Sequence, residues 1–548
     1  MFLSSVRLAA LSLGLFMALN AQAAPSDDKK ADDKKTEAGK LEHFKSDEQT
    51  SDGSVTIGGR KLDYQAAAGT LVVHPKGWDD VPDADRDDKE GDRHGDGKDA
   101  NPTAEAAMFY VAYFKQTPKQ EPRPLTFFFN GGPGSASVWL HMGAFGPKRV
   151  VTVDDDHSPA APYPVVNNEF SLLDATDMVF VDAPGTGFGR IAGKDKEKAF
   201  WGVDPDAHAF AEFITQFLSK YGRWNAPKYV FGESYGTTRA AALTYLLEAD
   251  RSVDLNGVIM LSQILNFDAS PDSPTLNPGI DLPYQLVLPT YAATAWYHHK
   301  LPGNPQDLKA LLAEVEHFAM TDFALALEQG SALDPAQRKA VIAKLHDYTG
   351  LPTDYIDKAN LRIDGGEFEK NLQGDSDTTT GRLDSRFSGP TMDPLSQRAD
   401  YDPQGAAISS AYVSAFNDYV RRDLKYGEGK VYKPEIEVWK SWNFQHQPPG
   451  NSEPAQISTN VMPDLAGALK YNPKLKIMLN MGYFDLATPF FEGVYEMHHL
   501  PIPMKLQANI DYAYYESGHM VYAHEASLKA IHDNVAAFIR KTGNLPSE

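Results

Sequence analysis

The chain has 548 residues, no cysteine and a formal net charge of −22. The missing thiol excludes disulfide scaffolds, cysteine nucleophiles, iron–sulfur ligation and Cys-type zinc sites, leaving Ser, His and carboxylate chemistry or an external metal. So negative a balance argues against a sequence-independent grip on nucleic acid or anionic lipid, both of which rely on Lys and Arg against phosphate, while 42% hydrophobic residues suffice for a sizeable core.

The first segment has a charged start ending at Arg7, an apolar run from Leu8 to Leu19 and the small-residue pattern Ala21-Gln22-Ala23. This predicts a cleaved secretory signal over residues 1–23, because the apolar run is too short to cross a bilayer. Residues 24–53 are rich in Asp, Lys, Glu and Thr with almost no large apolar side chains, a composition expected to stay disordered as a leader. A second such stretch runs from Asp79 to Asn101 and contains Asp92-Arg93-His94-Gly95-Asp96-Gly97. It superficially suggests a calcium loop. His94 stands where Asp or Asn belongs and Thr103 where the bidentate Glu belongs, so a solvated acidic loop is expected.

Strands are then predicted over Ala106–Phe114, Leu125–Phe129, Met178–Val181, Tyr229–Phe231 and Val258–Leu261. Asp204-Pro205 reads as an N-cap followed by Pro at the first helical position, ahead of Phe210, Phe213, Ile214, Phe217, Leu218 and Tyr221 on one helical face. From residue 266 to 454 the rhythm changes to helical segments between Pro-, Gly- and Asp-rich loops. Strand and helix alternation resumes at Lys476–Asn480 and Ile510–Tyr515, and a last helix carries Leu528, Ile531, Val535 and Phe538. The expected architecture is an α/β core with a mostly parallel sheet, formed by residues 54–265 and 455–548, and an inserted helical cap over 266–454.

Three blocks carry chemistry. Gly232-Glu233-Ser234-Tyr235-Gly236 follows a strand and opens a helix, the context of a nucleophile elbow that lifts a Ser oxygen off the sheet. A Ser hydroxyl needs a base and a group to orient it. Asp485 and His519 each lie in a loop just past an apolar strand and keep the order Ser, acid, His; His498, His499 and Asp511 are the competitors. Asn130-Gly131-Gly132-Pro133-Gly134 also follows a strand. Without a G-x-x-x-x-G-K-[ST] pattern it is no phosphate cradle, and in an elbow hydrolase it supplies an oxyanion N–H, here Gly132, beside that of Tyr235.

Together with Val181-Asp182-Ala183-Pro184-Gly185-Thr186-Gly187-Phe188, Gly482 to Asp485, and Gly518-His519-Met520-Val521, these blocks resemble the serine carboxypeptidase family. The resemblance implies an α/β-hydrolase fold, an acyl-enzyme mechanism and release of the C-terminal residue from peptides. It also implies that Asn130 and Glu233 hydrogen-bond the substrate's terminal carboxylate, which requires a protonated Glu233. Two departures stand out. Ala144 replaces the family's second Glu, giving Glu233 one less reason to hold a proton, with Lys148, Arg149 or Arg239 as compensating cations. Ser135 stands where many members carry Cys, and the disulfides of secreted eukaryotic members are absent. Beside the export signal this points to a bacterial envelope origin, periplasmic or secreted.

The expected function is a monomeric or weakly associating exported serine carboxypeptidase with Ser234, Asp485 and His519 as triad, requiring no cofactor or metal and acting on peptide substrates. An esterase or acyltransferase on the same scaffold is the alternative, and a binding protein with a degenerate site is the rival from another class.

Overall fold

The apolar runs assemble into one sheet because each strand is short, β-branched or aromatic, and bounded by turn residues. The computed structural model describes residues 43–80, 102–117, 122–272, 274–451, 453 and 458–545, so the signal segment 1–23, most of the leader and the acidic loop from residue 81 to 101 lie outside the described residues. The strands are β1 (Glu48–Ile57), β2 (Arg60–Val73), β3 (Glu105–Lys115), β4 (Leu125–Phe129), β5 (Lys148–Val150), β6 (Val165–Asn167), β7 (Asp177–Val181), β8 (Arg190–Ala192), β9 (Lys228–Glu233), β10 (Gly257–Leu261), β11 (Thr378–Thr380), β12 (Ser388–Pro390), β13 (Lys476–Gly482) and β14 (Ile510–Tyr515). The main sheet has the order β1-β2-β3-β7-β4-β9-β10-β13-β14, with β8 paired to β3. From β7 to β14 the neighbours are parallel, whereas β1, β2 and β3 are antiparallel.

The leader is therefore not disordered to residue 53. Glu48 pairs with Gly69 and the register continues to Ile57 against Arg60. An edge strand draws its stability from backbone hydrogen bonds and a few anchors, here buried Val55 and Ile57, so its polar composition hides it from a hydrophobicity reading.

Successive residues of the central strands serve opposite faces. Phe127, Phe129 and Val230 pack with Phe210, Phe213 and Phe217 of α2 (Val203–Lys220), while Phe128, Phe231 and Ile259 pack with Leu528, Ile531 and Val535 of the last helix, Glu525–Thr542. Burial on both faces explains why β4 is apolar except at Thr126, whose buried hydroxyl meets Thr176 Oγ1 at 2.9 Å. Helix α2, which follows the short α1 (Lys196–Phe200), begins one residue before Asp204, with Gly202 as its cap. The Asp204 carboxylate is engaged elsewhere, meeting His446 Nδ1 at 2.5 Å and accepting from the Gln447 N–H at 3.0 Å.

The next helix, α3 (Tyr235–Tyr245), leads to the middle block, whose helices are α4 (Leu282–Tyr297), α5 (Leu308–Phe318), α6 (Ala324–Gln329), α7 (Pro335–Thr349), α8 (Thr353–Lys358), α9 (Gly365–Asn371) and α10 (Pro403–Arg422). Helices α4 to α9 share a core of their own that includes Val287, Tyr291, Leu345, Ile356 and Phe368. Helix α10 does not belong to it: Tyr412, Ala415, Phe416 and Tyr419 join the main core, and Tyr419 Oη lies 3.0 Å from Tyr113 Oη. After α11 (Met462–Tyr471) and α12 (Phe490–His498), the helix Glu525–Thr542 is α13.

His446 ties three segments together, because its Nε2 also meets Asp464 of α11 at 2.7 Å. Burial alone would lower its pKa, but the hydrogen bonds to Asp204 and Asp464 outweigh it and push it up to about 9. A raised histidine contributes its stabilisation fully below the unfolded value and loses it as pH rises through the folded one. His446→Ala is therefore expected to cost about 1–3 kcal/mol near neutrality, the exposed Asp204 reducing the effect, and the gap from wild type should close as pH passes about 9 in thermal unfolding series.

Candidate active site

The turn between β9 and α3 holds Ser234 at φ 61° and ψ −132°, a conformation that costs a non-glycine residue about 1–3 kcal/mol and persists only where neighbours enforce it. The Ser234 N–H donates to Leu261 O at 3.0 Å and the Thr237 N–H donates to Ser234 O at 2.8 Å. Gly232 and Gly236 are required beside it, since a Cβ on Gly232 would lie 2.1 Å from Gly236 O. Ser234 is partly exposed between buried Glu233 and Tyr235.

Asp485 and His519 meet above the ends of β13 and β14. His519 Nδ1 lies 2.8 Å from Asp485 Oδ2, which also accepts from Thr488 Oγ1 at 2.8 Å. The other carboxylate oxygen accepts from the N–H groups of Ala487 and Thr488 at 2.9 and 3.0 Å. So placed, the carboxylate keeps a proton on Nδ1 and leaves Nε2 to act as base. Burial would lower the His519 pKa, but the Asp485 charge and hydrogen bond reverse this and raise it. No hydrogen bond joins Ser234 Oγ to His519 among the described residues, and in a substrate-free site this bond is commonly long. The competitors are not at the site: His498 and His499 are exposed at the end of α12, and Asp511 is exposed beside Lys541.

The Gly-rich loop lies directly on the elbow. A Cβ on Gly131 would fall 2.4 Å from Tyr235 N and 2.8 Å from Glu233 O, so only glycine permits the approach. Gly132 follows at φ 102° and is exposed. The Tyr235 N–H opens α3 and has no intrahelical acceptor, as for any first-turn amide, so it and the Gly132 N–H lie on adjoining backbone at the positive end of a helix.

Glu233 is buried and accepts from Asn130 Nδ2 at 2.7 Å and from Tyr522 Oη at 2.9 and 3.1 Å. Burial is the largest influence and raises its pKa to about 7, the hydrogen bonds and His519 opposing it. Burial thus gives Glu233 a reason to hold a proton with Ala144 in place of a second carboxylate. Arg239 is likewise no candidate for a substrate carboxylate. Its side chain is fully buried, pairs with Asp206 at 2.6 Å and donates to Asn130 O at 2.7 Å, bracing the Gly-rich loop from below. Arg149 pairs through Nη2 with the exposed Glu525 at 2.9 Å, while its buried Nε has no hydrogen-bond partner among the described residues.

Residues that sequence reasoning missed surround this arrangement. Thr488 was legible as Asp-x-x-Thr, a spacing that lets a hydroxyl reach back to its carboxylate. Tyr522 lies three residues past His519 but nothing local aims it at Glu233. Asp384 comes from the middle block: its Oδ2 accepts the Gly518 N–H at 3.1 Å, the His519 N–H donates to Leu383 O at 2.6 Å, and the Leu486 N–H donates to Arg382 O at 3.0 Å. Among the described residues no group of three or more His, Asp or Glu side chains is placed to hold a metal ion.

An elbow serine after a parallel strand, with acid and histidine following later strands in that order, defines an α/β-hydrolase. The fold agrees with that of the prohormone-processing carboxypeptidase Kex1(delta)p from Saccharomyces cerevisiae, with a TM-score of 0.52 at 15% identity over 87% of this chain and 91% of that one. A family model described as serine carboxypeptidase matches residues 95–271. Among curated relatives, the chain is 30% identical over 141 residues to the pheromone-processing carboxypeptidase KEX1 of Phytophthora infestans and 32% identical over 141 residues to that of Yarrowia lipolytica. These alignments take in 23% and 25% of this chain and 21% of each relative's length. The matched segment contains the Gly-rich loop and the elbow but ends before Asp485 and His519.

Two results are expected. Removing the Tyr522 hydroxyl in Tyr522→Phe should raise the Glu233 pKa above about 7, read from the carboxyl infrared band with Glu233→Gln as assignment. Asp206→Ala leaves the buried Arg239 charge unpaired and should cost about 3–5 kcal/mol in denaturant unfolding.

Proposed function

We propose that the protein is an exported serine-type carboxypeptidase, with residues 1–23 as its export signal and residues 266–454 as an elaboration of the catalytic domain. Ser234 Oγ attacks the scissile carbonyl carbon while His519 Nε2 takes its proton. Asp485 stabilises the imidazolium, and the N–H groups of Gly132 and Tyr235 receive the oxyanion. The C–N bond breaks as His519 protonates the leaving amine, giving an acyl ester on Ser234. Water, deprotonated by His519, then hydrolyses that ester and restores the serine.

The observation that carries the carboxypeptidase reading over general ester hydrolysis is Glu233. It is the residue immediately before the nucleophile, and burial holds it protonable near neutrality although Asn130 and Tyr522 donate to its carboxylate. A protonated carboxyl donates to a substrate carboxylate, whereas an ionised one repels it. Among the described residues no helix is long and apolar enough to cross a membrane.

Purified protein given a blocked dipeptide, its C-terminal amide and a nitrophenyl ester tests this reading. Release of a free C-terminal amino acid, lost by about four orders of magnitude or more in Ser234→Ala, is expected. Ester cleavage alone identifies an esterase or acyltransferase, and neither turnover nor fluorophosphonate labelling identifies a binding protein. The preference for the free acid over the amide should weaken as pH rises through about 7, and Glu233→Gln should flatten that dependence.

A further inference from the structure

After α10 the chain returns to the Gly-rich loop in a segment that the proposed chemistry does not use. Residues 431–444 are laced to the Gly-rich loop and its neighbours by backbone hydrogen bonds. The Ile436 N–H donates to Gly134 O at 2.9 Å, the Ala136 N–H to Pro434 O at 2.8 Å, and Gly187 and Lys433 exchange bonds at 2.7 and 3.0 Å. Further along, the Val203 N–H donates to Asn443 O at 3.0 Å. The contact at Gly134 is backbone on backbone, since a Cβ there would lie 2.6 Å from Ile436 O. Buried Val438 and Trp442 form a small apolar cluster with Tyr235, and the Trp442 and Tyr235 rings meet edge to face at 5.3 Å. The Arg239 guanidinium also lies against the Tyr235 ring, 5.4 Å from its centre.

We infer that residues 431–444 form a positioning strap for the two oxyanion donors, with Trp442 the residue through which the strap sets Tyr235. The strap reaches the Gly132 side through Gly134 and Ala136, and the Tyr235 side through its ring. Trp442 is a positioning residue, not a catalytic one. The inference rests on the function proposed above. Because the oxyanion exists in the transition state and not in bound substrate, loosening its donors lowers kcat and leaves KM in place. An apolar element with an ordinary stabilising role would instead change the amount of folded protein and leave turnover per site unchanged.

The test uses the full chain, with rates referred to Ser234 sites titrated by fluorophosphonate, so that unfolded protein is not counted as slow. For the blocked dipeptide, Trp442→Ala is expected to lower kcat about tenfold or more, short of the about 10²–10³ lost when a donor is removed outright, with KM within about twofold. A peptide aldehyde, whose adduct with Ser234 places an oxygen between the two donors, should bind weaker by the same factor, while the product acid binds as before. Trp442→Phe should recover most of the loss, and Leu395→Ala, on an exposed residue outside the strap, should lose nothing. If Trp442→Ala does not accumulate, Val438→Ala carries the same expectation. Unchanged kcat per titrated site, or unchanged aldehyde affinity, with an active wild type overturns the strap alone. A wild type without Ser234-dependent turnover overturns the proposed function and the strap with it.

Discussion

Backbone packed directly on backbone at the top of the sheet is the constraint on which the site depends. Four loops converge there, and three close contacts are made through glycines. Gly131 lies on the amide of Tyr235, Gly232 on the carbonyl of Gly236, and Gly482 on Gly518, where a Cβ would come within 2.3 Å of the carbonyl oxygen. The first two contacts join the Gly-rich loop to the elbow and let the elbow turn sharply; the third joins the acid loop to the base loop. A single methyl at these positions would separate the groups by more than a hydrogen bond tolerates. The positive φ of Ser234 is maintained by the same packing.

Electrostatics beneath that surface follow from burial. Glu233 is taken out of water and given neutral hydrogen-bond donors, which keeps its two protonation states close in energy. Asp485 is buried too, but it receives four donors including the imidazole. Glu233 stands with its donors beside the elbow, while Asp485 stands with His519 past the ends of β13 and β14. Asp206 and Arg239 neutralise one another below the loop and anchor Asn130 by its carbonyl. An unpaired charge at that depth would be costly, so the pair serves as a brace.

The middle block is divided in its loyalties. Helices α4 to α9 have their own core, but α10 belongs to the main one. Residues 382–385 hold the acid and base loops, and residues 431–444 hold the Gly-rich loop. With no cysteine in the chain, this mutual bracing by backbone hydrogen bonds and buried ion pairs such as Asp384 with Arg386 holds the block where disulfides are absent.

The α/β alternation, the elbow around Ser234 and the order of Ser234, Asp485 and His519 were legible in the sequence because each depends on short-range pattern: apolar strands, small residues at a tight turn, polar residues just past a strand end. Strand β1 was not legible, since an edge strand is specified by its partner's backbone and not by its own hydrophobicity. Nor were Tyr522 on Glu233, Asp384 on Gly518 or Arg239 beneath Asn130. Those contacts join residues far apart in the chain, and whether a carboxyl is poised, an arginine committed or a loop braced depends on burial and on neighbours that only the tertiary structure brings together. The chain order determined which side chains stand at the strand ends; the packing decided their neighbours and their aim.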